Sequence, residues 1–354
     1  MSKEKSQHMI KPLFIISGFG WSGSGAIIDF LLDNYSADIA GSDEIIFFWI
    51  FLRLVEQAKK RKQISASSED AMLFCANIPA SFSKEKKEQY ENTFTTYFQH
   101  THDGRRKYTL VAQQVLDELV EMSRRTRNQD FDEKRISRLA EKLLILFQEL
   151  FQGNNKLLYI YDNLFHPHDI SIFHHSDFST FDRVVLFCID RDPRDQFYEQ
   201  YERYSSGLGQ WHTLKLRQKV MTKFAQTRFF RMVLKLTIVK FFAAFIFVRM
   251  YIKKRKLFMQ AISQLKDKNL TIHYLLFEDF VCNTDNTRDK IATEFDTYIG
   301  KKELKGLEGN TNRFIPEQSK QNIGKYTRDR ATGVYEYIKK KSEHQSKYTY
   351  HRTD

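Results

Sequence analysis

Short apolar runs alternate with longer amphipathic stretches along this chain. Leu13-Phe14-Ile15-Ile16 follows Pro12 and ends in Ser17-Gly18, the pattern of a strand buried on both faces. Similar runs at Leu157–Tyr161, Arg183–Ile189 and Thr271–Phe277 predict three more strands. Between them, apolar residues recur three and four apart. That spacing predicts helices over Ala26–Leu32, Glu44–Lys60, Leu110–Arg127, Glu133–Phe151 and Asp285–Ile299. Residues 65–106 are mixed and give only weak signals. Strands alternating with helices imply an α/β fold, with a mostly parallel sheet covered on both faces. The expected organisation is one α/β domain over 12–338, with helical insertions at about 65–152 and 203–266. A disordered stretch, 1–11, precedes it and a basic tail, 339–354, follows.

Ligands of such sheets bind at the carboxyl ends of strands, and two turns there carry chemistry. The first is Gly18-Phe19-Gly20-Trp21-Ser22-Gly23-Ser24-Gly25, set between a strand and a helix. Glycines let the backbone point its amides at an anion, and the helix adds its positive end. A nucleoside-triphosphate loop needs Gly-Lys-[Ser/Thr], which is absent, so a kinase or NTPase is disfavoured. The loop reads equally as a plain strand-to-helix turn. The second turn is Asp190-Arg191-Asp192-Pro193-Arg194-Asp195, directly after the third apolar run.

Charge adds an anionic partner to this picture. The 354 residues carry a formal net charge of +12. From Arg203 to Lys266 there are fifteen Lys and Arg and no acid, so the rest of the chain is slightly acidic (12 − 15 = −3). Phe241–Val248 is the longest apolar run of that segment, far short of the roughly 20 residues that span a bilayer. Two readings stay open for the segment: core-packing helices with a solvated basic face, or a surface for an anionic acceptor or membrane. The three cysteines are scattered and form no CxxC pair, which suggests a reducing compartment. No secretory signal is visible, and the expected location is cytoplasmic, with a peripheral place at the inner face of a membrane as the alternative. No zinc finger, aromatic RNA motif or helix-turn-helix stands out, so a nucleic-acid partner is not expected.

Several segments together resemble the sulfotransferases that use 3′-phosphoadenosine 5′-phosphosulfate (PAPS). Trp21-Ser22-Gly23-Ser24-Gly25 is similar to their 5′-phosphosulfate loop. Asp43-Glu44-Ile45-Ile46-Phe47-Phe48 is similar to the acidic segment that follows the loop in glycosaminoglycan sulfotransferases. Val184–Asp195 resembles the strand and turn that bind the 3′-phosphate. Phe277-Glu278-Asp279-Phe280 and Ser319–Tyr326 resemble two later family segments, in the family's order.

The resemblance implies a P-loop-like sheet and transfer of a sulfuryl group to a hydroxyl or amine, on a glycan or a lipid-linked saccharide. It implies PAPS as co-substrate and no metal. Glu44 would be the catalytic base, with a helix-capping acid as the alternative. The cofactor would lie on Gly20, Trp21, Ser22, Gly23, Ser24, Gly25, Ala26, Arg191, Arg194, Ser319, Lys320, Asn322, Gly324 and Lys325. Two positions depart from the family. Trp21 stands where a cation is usual, leaving its charge-stabilising role to Lys320, Lys325 or Arg194. Glu199 stands eight residues after Arg191, where the family has a phosphate-binding serine. These departures also suit a non-catalytic PAPS-binding scaffold. His166, His168, His174 and His175 read as a polar loop, since their spacing does not favour a metal site.

Overall fold

The computed structural model describes residues 12–20, 22–34, 38–39, 46–60, 63–98, 102–124, 132–151, 159–162, 164–176, 178–205, 237–265, 269–299 and 314–349. Five parallel strands form one sheet: β1 (Leu13–Gly18), β2 (Asp38–Ile39), β3 (Tyr159–Asp162), β4 (Val184–Asp190) and β5 (Leu270–Leu276), in the order β2-β3-β1-β4-β5. The strands expected from apolar runs are all present among them, and the two-residue β2 is an addition. The fourth run, Thr271–Phe277, stops one residue early as β5, because Phe277 begins a helix.

Alternation along the central strands builds two cores. Leu13 and Ile15 of β1, with Val184, Leu186 and Cys188 of β4, face one layer. That layer holds α2 (Ile46–Lys59), α5 (His102–Arg124) and α6 (Glu133–Phe151), with the shorter α3 (Glu69–Phe74) and α4 (Lys84–Phe98) around them. Phe14, Ile16, Val185, Phe187 and Ile189 face the other layer, built on α1 (Ser24–Asn34), α9 (Phe277–Cys282) and α10 (Thr287–Ile299). Phe14 and Phe187 both stack on Phe295 of α10, at 4.4 and 5.5 Å.

A third cluster joins α7 (Pro193–Ser205), α8 (Thr237–Gln264) and α12 (Thr332–Thr349) through Phe197, Ala244, Val248, Tyr335 and Ile338. Between α10 and α12 lies the short α11 (Pro316–Lys320). Because Val334, Tyr335 and Ile338 are buried here, the chain continues as helix through the lysines expected to begin a tail. Among the described residues, no helix is long and apolar enough to cross a membrane.

The strongest polar link in this frame crosses from α8 to the end of β4. The Asp190 carboxylate accepts from Arg255 Nε at 2.8 Å and from a second Arg255 nitrogen. It also accepts from Gln196 at 2.9 Å and from the Tyr274 hydroxyl. Both charged side chains are almost fully buried. Removing one member of such a pair leaves the other charge uncompensated. Arg255→Leu is therefore expected to cost about 3–5 kcal/mol of stability, read as a lower urea midpoint. Adding Asp190→Asn should recover part of that loss.

Candidate functional site

The carboxyl ends of β1, β3, β4 and β5 bring four sequence-distant segments to one edge. The register pairs Gly18 with Ile189, so the loop after β1 and the turn after β4 start side by side. The backbone amide of Phe19 donates to the Ile189 carbonyl at 3.3 Å.

In the loop, Gly20 and Gly23 have φ of +89° and +87°. Gly23 has a second reason to lack a side chain: a Cβ there would overlap the Phe277 ring. Ser22 is 2% exposed, and its hydroxyl has no hydrogen-bond partner among the described residues. Such a group normally finds one, because burying it unpaired costs about 1–3 kcal/mol. Ser24 opens α1, Gly25 is exposed, and the Ala26 amide donates to the Gly23 carbonyl at 3.1 Å. Trp21, Asp43 and Glu44 lie outside the described residues.

The structure brings Arg191 to the same place. Its guanidinium lies 4.9 Å from the centre of the Phe277 ring, the ring that Gly23 also meets. It donates to the Asn322 carbonyl, which joins the late Ser319–Tyr326 segment to the turn. The Asp195 carboxylate fixes that segment further, accepting from the amides of Gly324 at 2.7 Å and Tyr326 at 3.2 Å. The acids flanking Arg191 have other cations: Arg255 faces Asp190, and Arg194 grips Asp192 at 2.6 Å.

Arg194 also stacks on Tyr326 at 4.3 Å, and Lys325 pairs with Glu199 at 2.7 Å. Glu199, in place of the family serine, thus holds a lysine of the expected site. Ser319 is half-buried in α11, and Lys320 is exposed.

The histidines behave differently from the polar loop expected. Residues Pro167–Phe173 form a 3₁₀ helix whose Pro167, Ile170, Ile172 and Phe173 are buried, and this packing draws the flanking histidines inward. His166 hydrogen-bonds the Gly18 carbonyl at 3.0 Å through Nδ1. A carbonyl only accepts, so Nδ1 carries the proton and Nε2 the lone pair. His166 sits edge-on to Trp49 at 4.3 Å and stacks on His168 at 5.1 Å. Burial, with Lys254 nearby, pushes His166 down to about 3. Burial lifts Asp169 to about 6 and lowers Lys254. His174 and His175 belong elsewhere. Their nitrogens and a Glu133 oxygen lie within 4.8 Å of one another, with Glu133 and His175 exposed and His174 half-buried.

No protein-family model, curated protein or solved structure matched this chain in comparison.

Glu278, in the first turn of α9, accepts from the Asp192 amide at 3.0 Å and is pushed up to about 7 by burial. A carboxyl raised on folding holds its proton more tightly in the native chain. Its favourable contribution is thus present at low pH and lost as pH rises through about 7. Glu278→Gln keeps the accepting oxygen without the charge. It should melt above the parent protein at alkaline pH, with the margin vanishing below the ordinary glutamate range. Melting curves across pH check this.

Proposed function

We propose that this protein is a PAPS-dependent sulfotransferase whose sheet is the P-loop-like sheet of that family. The observation that carries this reading is Phe277, whose ring packs against both Gly23 of the loop and the Arg191 guanidinium. Two anion-binding elements of different chemistry are thereby held beside each other. The loop offers amides, the N-terminal end of α1 and the buried Ser22 hydroxyl, which suit the 5′-phosphosulfate. Arg191 offers a planar fork, which suits the 3′-phosphate. The free cysteines fit a reducing, cytoplasmic setting.

In the transfer, an acceptor hydroxyl or amine forms a bond to sulfur as the bond from sulfur to the bridging phosphate oxygen breaks. Adenosine 3′,5′-bisphosphate leaves, and the acceptor proton passes to a base. The demands are in-line placement and stabilisation of charge on the leaving oxygen. The resemblance assigns the base to Glu44. Among the described residues, His166 offers a neutral imidazole with its lone pair on Nε2, hydrogen-bonded to the loop itself, but burial holds it down to about 3, which makes it a weaker base than an ordinary glutamate. The acceptor we favour is a glycan.

A second reading, binding without turnover, is favoured by one specific feature. Arg194 and Lys325, two candidates to replace the loop cation, are already paired with Asp192 and Glu199. Turnover of labelled PAPS over a panel of saccharides separates the two readings.

Calorimetric titration tests the nucleotide site. Adenosine 3′,5′-bisphosphate should bind far more tightly than ADP. Arg191→Ala should weaken it by about 1.5–3 kcal/mol, with melting curves checking that the variant folds. Equal affinity for ADP would remove the 3′-phosphate from the reading.

The base is tested by paired variants. Glu44→Gln, if it removes the base, should lower turnover by about 10²–10⁴ while leaving bisphosphate affinity in place, whereas His166→Ala also removes the hydrogen bond to Gly18 and should weaken bisphosphate binding as well. If both turn over normally, neither residue is the base.

A further inference from the structure

The helix α8 presents two faces of opposite logic. Its inner face holds Ala244, Val248, Tyr251 and Phe258, together with two buried cations, Lys240 and Arg255. Each cation meets an acid from another element: Lys240 bonds Asp329, and Arg255 bonds Asp190. Its outer face holds Ile238, Phe241, Phe242, Phe245, Ile246 and Met250, all exposed. Ile238 is 83% and Phe242 64% exposed, far more than packing inside a core would leave. At 100° per residue these six span about half the helix circumference, opposite the inner face. A large exposed apolar area on one element marks a surface that something covers.

Charge indicates what covers it. Arg249, Lys253 and Lys256 are exposed on the same outer face, and α8 contains no acidic residue. The Arg249 guanidinium lies over the Phe245 ring at 4.4 Å, so a cation and an aromatic share one spot. Phe241 packs on Tyr337 of α12 at 4.9 Å, and exposed Lys341 stands one turn beyond on that helix. Aromatic and aliphatic side chains among cations, with no acid on α8 itself, match the boundary between anionic headgroups and acyl chains. The helix does not qualify as a membrane span, so it would lie in the plane of the surface.

We propose that the outer face of α8 seats on an anionic lipid bilayer. The inference goes beyond the sulfotransferase reading and does not depend on it.

Co-sedimentation of the full chain with vesicles tests it. Phosphatidylcholine mixed with phosphatidylglycerol should carry the protein down, phosphatidylcholine alone should not, and added salt should release it. Arg249→Gln, Lys253→Gln and Lys256→Gln together should lower partitioning roughly a hundredfold, at about fivefold per cation. Phe242→Gln with Ile246→Gln should lower it as well, since lost apolar burial is the other half of the attraction. Both sets lie on exposed positions, so the fold and bisphosphate binding should be unchanged. Equal sedimentation with both vesicle types, or with neither, overturns the proposal. So does a homodimer, seen by light scattering, that Phe242→Gln dissociates while vesicle binding is absent. The proposal is overturned too if residues 206–236 of the chain prove to be the cover. In that case no vesicle binds, and Phe242→Gln lowers the melting temperature.

Discussion

The carboxylate of Asp190 lies buried at the end of β4 and takes hydrogen bonds from Arg255, Tyr274 and Gln196 as well as from the Arg191 amide. A buried charge is tolerable only when paired and hydrogen-bonded, and here the partners come from α8, β5 and α7. That requirement fixes where α8 crosses the sheet edge. The side chain of the next residue, Arg191, turns to Phe277 and Asn322. The position of the candidate anion site is in this sense a by-product of satisfying one acid.

Around that clamp the edge is organised by short-range pairing of acids and bases. Asp192 holds Arg194, Glu199 holds Lys325, and Asp195 holds the backbone of Gly324 and Tyr326. The turn after β4 thus works mainly as scaffolding for the segment near residue 322. The loop after β1 is held through His166 and through Ile189 of β4. In that loop the Ser22 hydroxyl is buried with no hydrogen-bond partner among the described residues.

Much of the frame was legible in the sequence because parallel strands are buried on both faces and so read as unbroken apolar runs. The glycine loop and the arginine turn could be placed at strand ends for the same reason. Strand order could not be read, since nothing local states that β1 lies between β3 and β4. His166 and His168 depart from the polar-loop reading because sequence spacing says nothing of burial: it is the packing of Ile170, Ile172 and Phe173 that draws them inward. On α8 polarity misleads outright. Lys240 and Arg255 are buried, whereas Phe241 and Phe242 are exposed. The acids that reverse the usual preference, Asp329 and Asp190, are 89 and 65 residues away in sequence.

The sheet order also has a consequence for how the chain is made. β1 pairs only with β3 and β4, whose first residues are 159 and 184, and all three strands are parallel. At synthesis rates of roughly 5–20 residues per second, Leu13–Gly18 waits on the order of ten to thirty seconds for either neighbour. During that interval a run of six residues, four of them large and apolar, has open edges on the nascent chain. Such an edge is a template for wrong pairing, so the early strand is where a ribosome-associated chaperone would have most to shield.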